Sequence, residues 1–279
     1  MKKLIITLAL IYFYGITIAQ NFPAMKGNQA CSYRKSHMTQ LPDLKLLSPN
    51  APVHSFDVLN YTLDLDLYNC YISPYPKSFA ASVIVTFRVD SVLSSIVLNA
   101  VNTSLTIDSV AMSGVSFTHA SNKLHITLDK TYNPGEQAEV KVYYHHKNVA
   151  DGAFYVNSGF VFTDCEPEGA RKWFPCWDSP SDKATTDVTA KVPLNVKLAS
   201  NGRLQDSTVN GNILTYHWIS RDPVATYLTI ITSRVNYNLD IVNWINPNTG
   251  DTTPMRFYYN PGENPDGMEY IFPGIVTFF

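Results

Sequence analysis

The chain has 279 residues, with 21 basic and 23 acidic side chains and a formal net charge of -2 at pH 7. Charged residues make up 16% of it, below the roughly 25% of an average domain, whereas aromatic residues are abundant. This mildly acidic balance contains no basic block, which argues against binding to nucleic acid through phosphate neutralisation. The composition suits an exported protein rich in β-strands.

Residues 1–19 are typical of a secretory signal peptide. Lys2 and Lys3 give a basic start, an apolar run follows from Leu4 to Ile18, and the small residue Ala19 precedes the expected cut. The run is too short to indicate a membrane span, and no later segment is apolar for long enough to cross a bilayer. The sequence therefore predicts a secreted, periplasmic or extracellular protein without a transmembrane segment.

Residues 20–50 are predicted to form a lead-in segment, because prolines interrupt any regular period there. From Asn60 onward, apolar and polar residues alternate with the period of two that indicates a strand with one buried face. The segments with this pattern are 61–68, 83–89, 124–128, 138–144, 186–192, 213–219 and 225–232. The third and fourth are joined by the turn Asn133-Pro134-Gly135, so we expect them to be antiparallel neighbours.

No helical stripe interrupts these strands before about residue 262. Strands at this spacing without intervening helices predict an all-β fold of stacked or curved antiparallel sheets. This β-domain is assigned to residues 51–235. Asn264-Pro265 then has the signature of a helix start, and an apolar helical face follows, with Pro273 expected to kink it. Because nothing in the sequence packs on that face, residues 236–279 are predicted to be the truncated start of a second domain.

Four cysteines follow the predicted signal peptide, which allows two disulfides in any of three pairings. A bridge from Cys31 to Cys70, tying the lead-in segment to the first strand, is one hypothesis. Cys165 and Cys176 can equally be small buried thiols.

The most informative stretch spans residues 163–184, which read Thr-Asp-Cys-Glu-Pro-Glu-Gly-Ala-Arg-Lys-Trp-Phe-Pro-Cys-Trp-Asp-Ser-Pro-Ser-Asp-Lys-Ala. It resembles the segment Thr-Gln-x-Glu-x-x-x-Ala-Arg-x-x-Phe-Pro-Cys-x-Asp-Glu-Pro-x-x-Lys-Ala of zinc aminopeptidases of the aminopeptidase N type. Eleven positions match in register. Two positions depart from the pattern, Asp164 in place of Gln and Ser179 in place of Glu. More loosely, the resemblance extends from about Ser55 to about Ser233.

The resemblance implies a saddle of β-sheets that precedes an α+β gluzincin metallopeptidase catalytic domain, of which residues 236–279 would be the truncated start. That family binds zinc through His-Glu-x-x-His, and none of the seven histidines here begins such a motif. The adjacent pair His145-His146 lies in a strand-like run, where neighbouring side chains point to opposite faces, and is expected to be a solvated edge pair. No cofactor is therefore predicted in this chain, and zinc is expected in the full-length protein.

By position in the motif, Glu166 corresponds to the family residue that reaches into the active site and pairs with the ammonium group of the substrate. Asp164 is shorter than the usual Gln and charged, which implies a changed first substrate pocket. Arg171 and Asp178 are expected to hold the loop, with Asp178 also capping a short helical turn after it. The aromatic residues Trp173, Phe174 and Trp177 are expected to fill the core or an interface. No residue of the chain is predicted to be catalytic.

Two functions remain open from the sequence. The first is the N-terminal portion of a secreted zinc metalloaminopeptidase, in which this domain caps the cleft and supplies an acidic anchor for the substrate amine. Its partners would be peptide N-termini and the missing catalytic domain. The alternative is a non-catalytic binding or scaffold module of the same descent.

Overall fold

The computed structural model describes residues 55–111 and 114–278. The predicted signal peptide and the predicted lead-in segment lie outside this range. The part described contains one α-helix, α1 (Asp266–Phe278), and short 3-10 turns at Tyr68–Tyr71, Ala170–Lys172 and Thr226–Leu228. Its strands are β1 (Phe56–Asp66), β2 (Phe79–Val89), β3 (Leu93–Asn99), β4 (Leu105–Ala111), β5 (Ser116–Ala120), β6 (Lys123–Tyr132), β7 (Gln137–His146), β8 (Phe154–Asn157), β9 (Phe160–Thr163), β10 (Ala184–Pro193), β11 (Val196–Ser200), β12 (Arg203–Asn210), β13 (Ile213–Val224), β14 (Ile231–Val235), β15 (Asn238–Ile245) and β16 (Thr252–Tyr259).

The strands form three sheets and a hairpin. A seven-stranded sheet has the order β12-β13-β10-β1-β2-β7-β4, a four-stranded sheet the order β11-β14-β9-β8, and a three-stranded sheet the order β3-β6-β5, while β15 and β16 pair alone. The pairs are antiparallel except for β1 with β10, where Leu63 faces Val188 in parallel register. The predicted all-β, mainly antiparallel fold is therefore confirmed.

The period-two pattern places the core as the sequence predicted. Leu63 and Leu65 of β1, Val85 of β2 and Val142 of β7 are fully buried, whereas the residues between them are more exposed. One contiguous apolar cluster joins residues of all three sheets. Each fully buried aliphatic side chain contributes roughly 1.5–3 kcal/mol relative to an exposed one.

The turn Asn133-Pro134-Gly135 does not join neighbouring strands, so this prediction was wrong. Strand β6 pairs with β3 and β5, whereas β7 pairs with β2 and β4 in the larger sheet. The Gly135 N–H donates to the Val89 carbonyl (2.8 Å), and the Val89 N–H donates to the Glu136 carbonyl (2.9 Å). The turn is therefore docked on the end of β2 and carries the chain from one sheet to another.

The segment 225–232 is also not a single strand. It begins with the 3-10 turn Thr226–Leu228, and β14 starts only at Ile231. The Thr226 hydroxyl donates to the buried Asp178 carboxylate at 2.6 Å, and the Thr229 N–H donates to the Thr226 carbonyl at 3.0 Å. A distant polar partner thus overrides the apolar alternation of this segment.

The two adjacent histidines point to opposite faces of β7, as predicted, but β7 is an interior strand. His145 is exposed and contacts Asp108 at 2.9 Å. His146 is fully buried, so a solvated edge pair was wrong for it, and its two ring nitrogens contact the Lys77 carbonyl (2.8 Å) and Asp151 (2.9 Å). Burial acts to raise the pKa of Asp151, but hydrogen bonds from His146 and from the backbone hold it below its ordinary value.

Helix α1 begins where the sequence indicated, because the Asn264 side-chain oxygen accepts from the Asp266 N–H at 2.8 Å. Pro273 lies inside it. Phe272 packs edge-on against Phe257 of β16, with ring centroids 6.0 Å apart. The remaining apolar residues of helix α1, including Met268 and Ile271, are largely exposed. Among the described residues, no helix is long and apolar enough to cross a membrane.

Candidate functional site

The segment 163–184 is a long connection between β9 and β10, and backbone pairing fixes its middle. Asn99 and Cys176 exchange two backbone hydrogen bonds of 2.7 and 3.1 Å, and the Val101 N–H donates to the Arg171 carbonyl at 3.0 Å. At its start, the Thr163 hydroxyl accepts from the Ile231 N–H at 3.0 Å. The loop is therefore held between the end of β3 and the four-stranded sheet.

A buried ion pair stabilises the loop from inside. The Arg171 guanidinium donates from Nε to the Asp178 carboxylate (2.8 Å) and from a terminal nitrogen to the Asp178 carbonyl (2.6 Å). The same carboxylate accepts from the Arg171 N–H (3.2 Å) and from Thr226, and the Asp178 side chain is 0% exposed. The predicted pairing of the two residues is confirmed, with one correction. Asp178 does not cap a turn after it, because its carboxylate folds back and accepts from the Arg171 N–H of the 3-10 turn Ala170–Lys172, which precedes it in the chain.

The aromatic and sulfur residues of the loop belong to the core. Trp173 and Phe174 are fully buried and contact each other edge-on, and Trp177 is partly buried against Phe56. Cys165 and Cys176 are buried free thiols, as is Cys70, whereas Cys31 lies outside the described residues. Burial raises the pKa of the Cys165 thiol to about 12. These thiols are therefore packing groups without nucleophilic character at neutral pH.

Gly169 is required by a close approach within this loop. Its N–H donates to the Cys165 carbonyl at 2.6 Å, and a Cβ at position 169 would lie 2.8 Å from the Cys165 Cα. The intervening residues 166–168 consequently form a tight exposed tip, with a cis peptide bond between Glu166 and Pro167.

Residues 164–168 present three carboxylates with different surroundings. Glu166 and Asp164 are exposed, and the Glu166 side chain has no hydrogen bond or ion pair with any described residue. Glu168 is 52% exposed and contacts the Arg171 guanidinium at 2.9 Å, so it belongs to the scaffold of the loop. Of these three side chains, Glu166 and Asp164 keep free carboxylates, and they lie two residues apart in the chain just after β9.

A fifth carboxyl group in this segment, that of Asp182, was missed by the sequence analysis. Asp182 is only 8% exposed, one of its oxygens has no hydrogen-bond partner, and it lies beside Asp57, which also pairs with Arg88 at 2.9 Å. Burial, the neighbouring Asp57 charge and the hydrogen bond between the two carboxyl groups raise the pKa of Asp182 to about 7. A single Asp after a Ser-Pro-Ser run carries no signal of burial.

This carboxyl pair predicts a pH-dependent stability. Because the Asp182 pKa is raised in the folded state, its protonated form favours folding, and the free energy of unfolding falls as the pH rises from about 4 to about 7. Asp182→Asn should flatten this slope and stabilise the protein at pH 8 by on the order of 1 kcal/mol. Urea unfolding at pH 5 and pH 8 measures both effects. An unchanged slope in the variant would assign the pH dependence to other groups.

Among residues 55–111 and 114–278, no group of three or more His, Cys, Asp or Glu side chains could hold a metal ion. The donor set for a zinc site is therefore not assembled in the part of the chain that the structure describes. What the loop offers chemically is a pair of free carboxylates that can accept hydrogen bonds from a cationic group.

The family model of the Peptidase M1 N-terminal domain matches residues 59–228, and the chain belongs to this family.

Individual relatives agree with this assignment. Aminopeptidase M1 of Arabidopsis thaliana is 25% identical over 226 residues, which are 80% of this chain and 22% of the relative. Leucine aminopeptidase 2-1 of Scheffersomyces stipitis is 38% identical over 74 residues, 26% of this chain and 11% of the relative. The chain thus spans a small part of both relatives.

Solved structures show the same fold. The M1 zinc metallopeptidase from Deinococcus radiodurans superposes with a TM-score of 0.69 at 23% identity, covering 80% of this chain and 52% of that one. A mutant of that enzyme bound to a Tyr-Ser-Ala substrate gives a TM-score of 0.68 at 23% identity, covering 78% and 52%. The family model and these relatives confirm the resemblance carried by residues 163–184.

Proposed function

We propose that this chain is the N-terminal part of a secreted zinc aminopeptidase that removes N-terminal residues from peptides. Its β-domain caps the active-site cleft, and residues 236–279 begin the catalytic domain. The family membership and the partial coverage of both relatives support this arrangement. Zinc and the hydrolytic step belong to the remainder of that protein.

The observation that carries the proposal is the position of Glu166. Arg171 and Asp178 fix the base of the loop, and Gly169 closes the tip, so the Glu166 carboxylate is held without an internal partner. A free carboxylate on a rigid support pairs well with a substrate ammonium, because little conformational entropy is lost on binding. Such a contact selects peptides with a free N-terminus.

Asp164 adds a second negative charge near the same site. The Asp164 N–H donates to the Ala153 carbonyl at 2.9 Å, which fixes its backbone while its side chain stays exposed. We assign it to the wall of the first substrate pocket, where its charge favours cationic substrate groups.

The isolated 279-residue chain is expected to bind no zinc after dialysis and to leave aminoacyl reporter substrates uncleaved, because a four-coordinate site needs ligands that its described residues do not assemble. Metal analysis of the dialysed chain, together with a reporter assay, checks this. One equivalent of retained zinc, or turnover abolished by a chelator, would contradict it.

The test of the proposed function uses the full-length protein. The coding sequence beyond Phe279 is expected to contain His-Glu-x-x-His, and the purified protein should cleave aminoacyl reporters with a free amine but not their N-acetylated forms. Activity should be lost with a chelator and restored by zinc. A full-length protein that lacks the motif and the activity would instead establish the binding or scaffold module.

A further inference from the structure

A cleft of about 620 Å³ lies away from the loop of residues 163–184, between the start of β12, strand β13 and one face of β16. Small-molecule pockets have volumes of roughly 300–1,000 Å³, so the cleft can hold a ligand of that size. Neither Glu166 nor Asp164 lines it.

One wall of the cleft comes from β16, with Thr252 and Thr253 at the start of the strand and alternate residues after them. Pro254, Arg256 and Tyr258 line the cleft. Phe257, on the opposite face of the strand, packs on Phe272 of helix α1. Because side chains alternate along a strand, this packing directs Arg256 and Tyr258 towards β12 and β13.

The other wall depends on a glycine. Gly202 has φ +78°, and a Cβ there would lie 2.1 Å from the Ile219 carbonyl oxygen, so only glycine allows this approach of the β12 start to β13. The next residues pair Arg203 with Ile219 and Leu204 with Trp218. Arg203 therefore stands at the rim of the cleft, with the buried Trp218 beside it.

The charge of the cleft is one-sided. Arg203 and Arg256 line it together, and no acidic residue does so among the described residues. Arg256 is partly buried without a side-chain hydrogen bond or ion pair to any described residue, and Arg203 donates only to the neutral Gln205 amide oxygen (3.2 Å). By contrast, Arg171 and Arg221 pair with aspartates at 2.8 and 3.0 Å. Two unpaired guanidinium groups beside apolar surface favour an anionic ligand.

We propose that this cleft binds a carboxylate carried on an apolar group, such as the carboxyl terminus of a short peptide. The guanidinium of Arg256 pairs with the carboxylate, Arg203 adds the second positive charge, and the apolar group lies against Leu204, Trp218 and Pro254. This site is independent of the amine anchor at Glu166.

Calorimetric titration of the 279-residue chain with N-acetyl-L-phenylalanine and with its carboxamide tests the proposal. The acid should bind with an affinity that falls with added salt, and the amide should bind at least about tenfold more weakly, because it lacks the charged partner. Absence of binding, equal binding of the two compounds, or tighter binding of inorganic phosphate would overturn it.

Variants locate the site. Arg256→Gln and Arg203→Gln should each weaken binding of the acid about tenfold to a hundredfold, the range for losing one charge-assisted contact. Arg221→Gln is the matched control, since Arg221 lies on the same strand as Trp218 but outside the cleft. The affinity of this variant for the acid should stay unchanged. Arg203 is exposed, so its variant remains informative if Arg256→Gln does not fold. Wild-type affinity in both cleft variants would exclude this cleft as the binding site of the acid.

Discussion

Asp178→Ala is expected to lower the free energy of unfolding by about 3–5 kcal/mol, the range for breaking a buried ion pair by removal of one partner. The substitution leaves the Arg171 guanidinium without its buried carboxylate and removes the acceptor of the Thr226 hydroxyl. It also removes the acceptor of the Arg171 N–H in the 3-10 turn Ala170–Lys172. Urea unfolding at pH 7 measures the effect.

The matched control is Glu168→Gln, which changes the other carboxylate that contacts Arg171. Glu168 is 52% exposed, so its ion pair is screened by solvent, and the change should cost no more than about 1 kcal/mol. Equal losses in the two variants would mean that the buried half of this network does not hold the loop.

Glu166→Ala in the full-length protein is expected to lower kcat/KM on an aminoacyl reporter roughly 30-fold to 1,000-fold. This corresponds to a loss of about 2–4 kcal/mol of transition-state stabilisation. The carboxylate lost is the one that the loop holds without an internal partner. Glu166→Gln should retain more activity than Ala, because an amide oxygen can still accept a hydrogen bond from the ammonium group. Stability and zinc content should stay unchanged.

Two control variants test whether this loss is specific to Glu166. Glu168→Ala should be nearly silent in catalysis, although the structure shows that it also removes a partner of Arg171. Glu139→Ala, at an exposed position of β7, tests the loss of a distant carboxylate. A comparable loss of activity in Glu168→Ala would show that the loop acts through its shape. Wild-type efficiency of Glu166→Ala would exclude Glu166 as the anchor of the substrate amine.

The sequence predicted the strands whose apolar alternation is long and regular, such as β1, β2 and β7, because one buried face imposes that pattern. It did not predict which strands pair. The turn at Asn133-Pro134-Gly135 has the same local chemistry whether the chain returns to its own sheet or crosses to another. The parallel pairing of β1 with β10 likewise has no local signal, since the two strands are more than 100 residues apart.

The candidate site also contains features that the sequence predicted and features that it did not. The family resemblance identified Glu166 by position, and short-range chemistry was enough to expect that Arg171 and Asp178 pair. The partners of Asp178 and Asp182 could not be predicted, because Thr226 and Asp57 come from strands and turns far away in the chain. The burial of His146 depended on β7 being an interior strand, which only the sheet order reveals.

The central claim, that Glu166 binds the substrate ammonium, is tested most directly by two inhibitors that differ only in the α-amino group. L-leucine hydroxamate and 4-methylpentanehydroxamate form such a pair. In the full-length protein, Glu166→Ala should raise the inhibition constant of the amino compound by about 30-fold to 1,000-fold and leave that of the des-amino compound unchanged. An equal rise for both compounds, or a rise for neither, would contradict the claim.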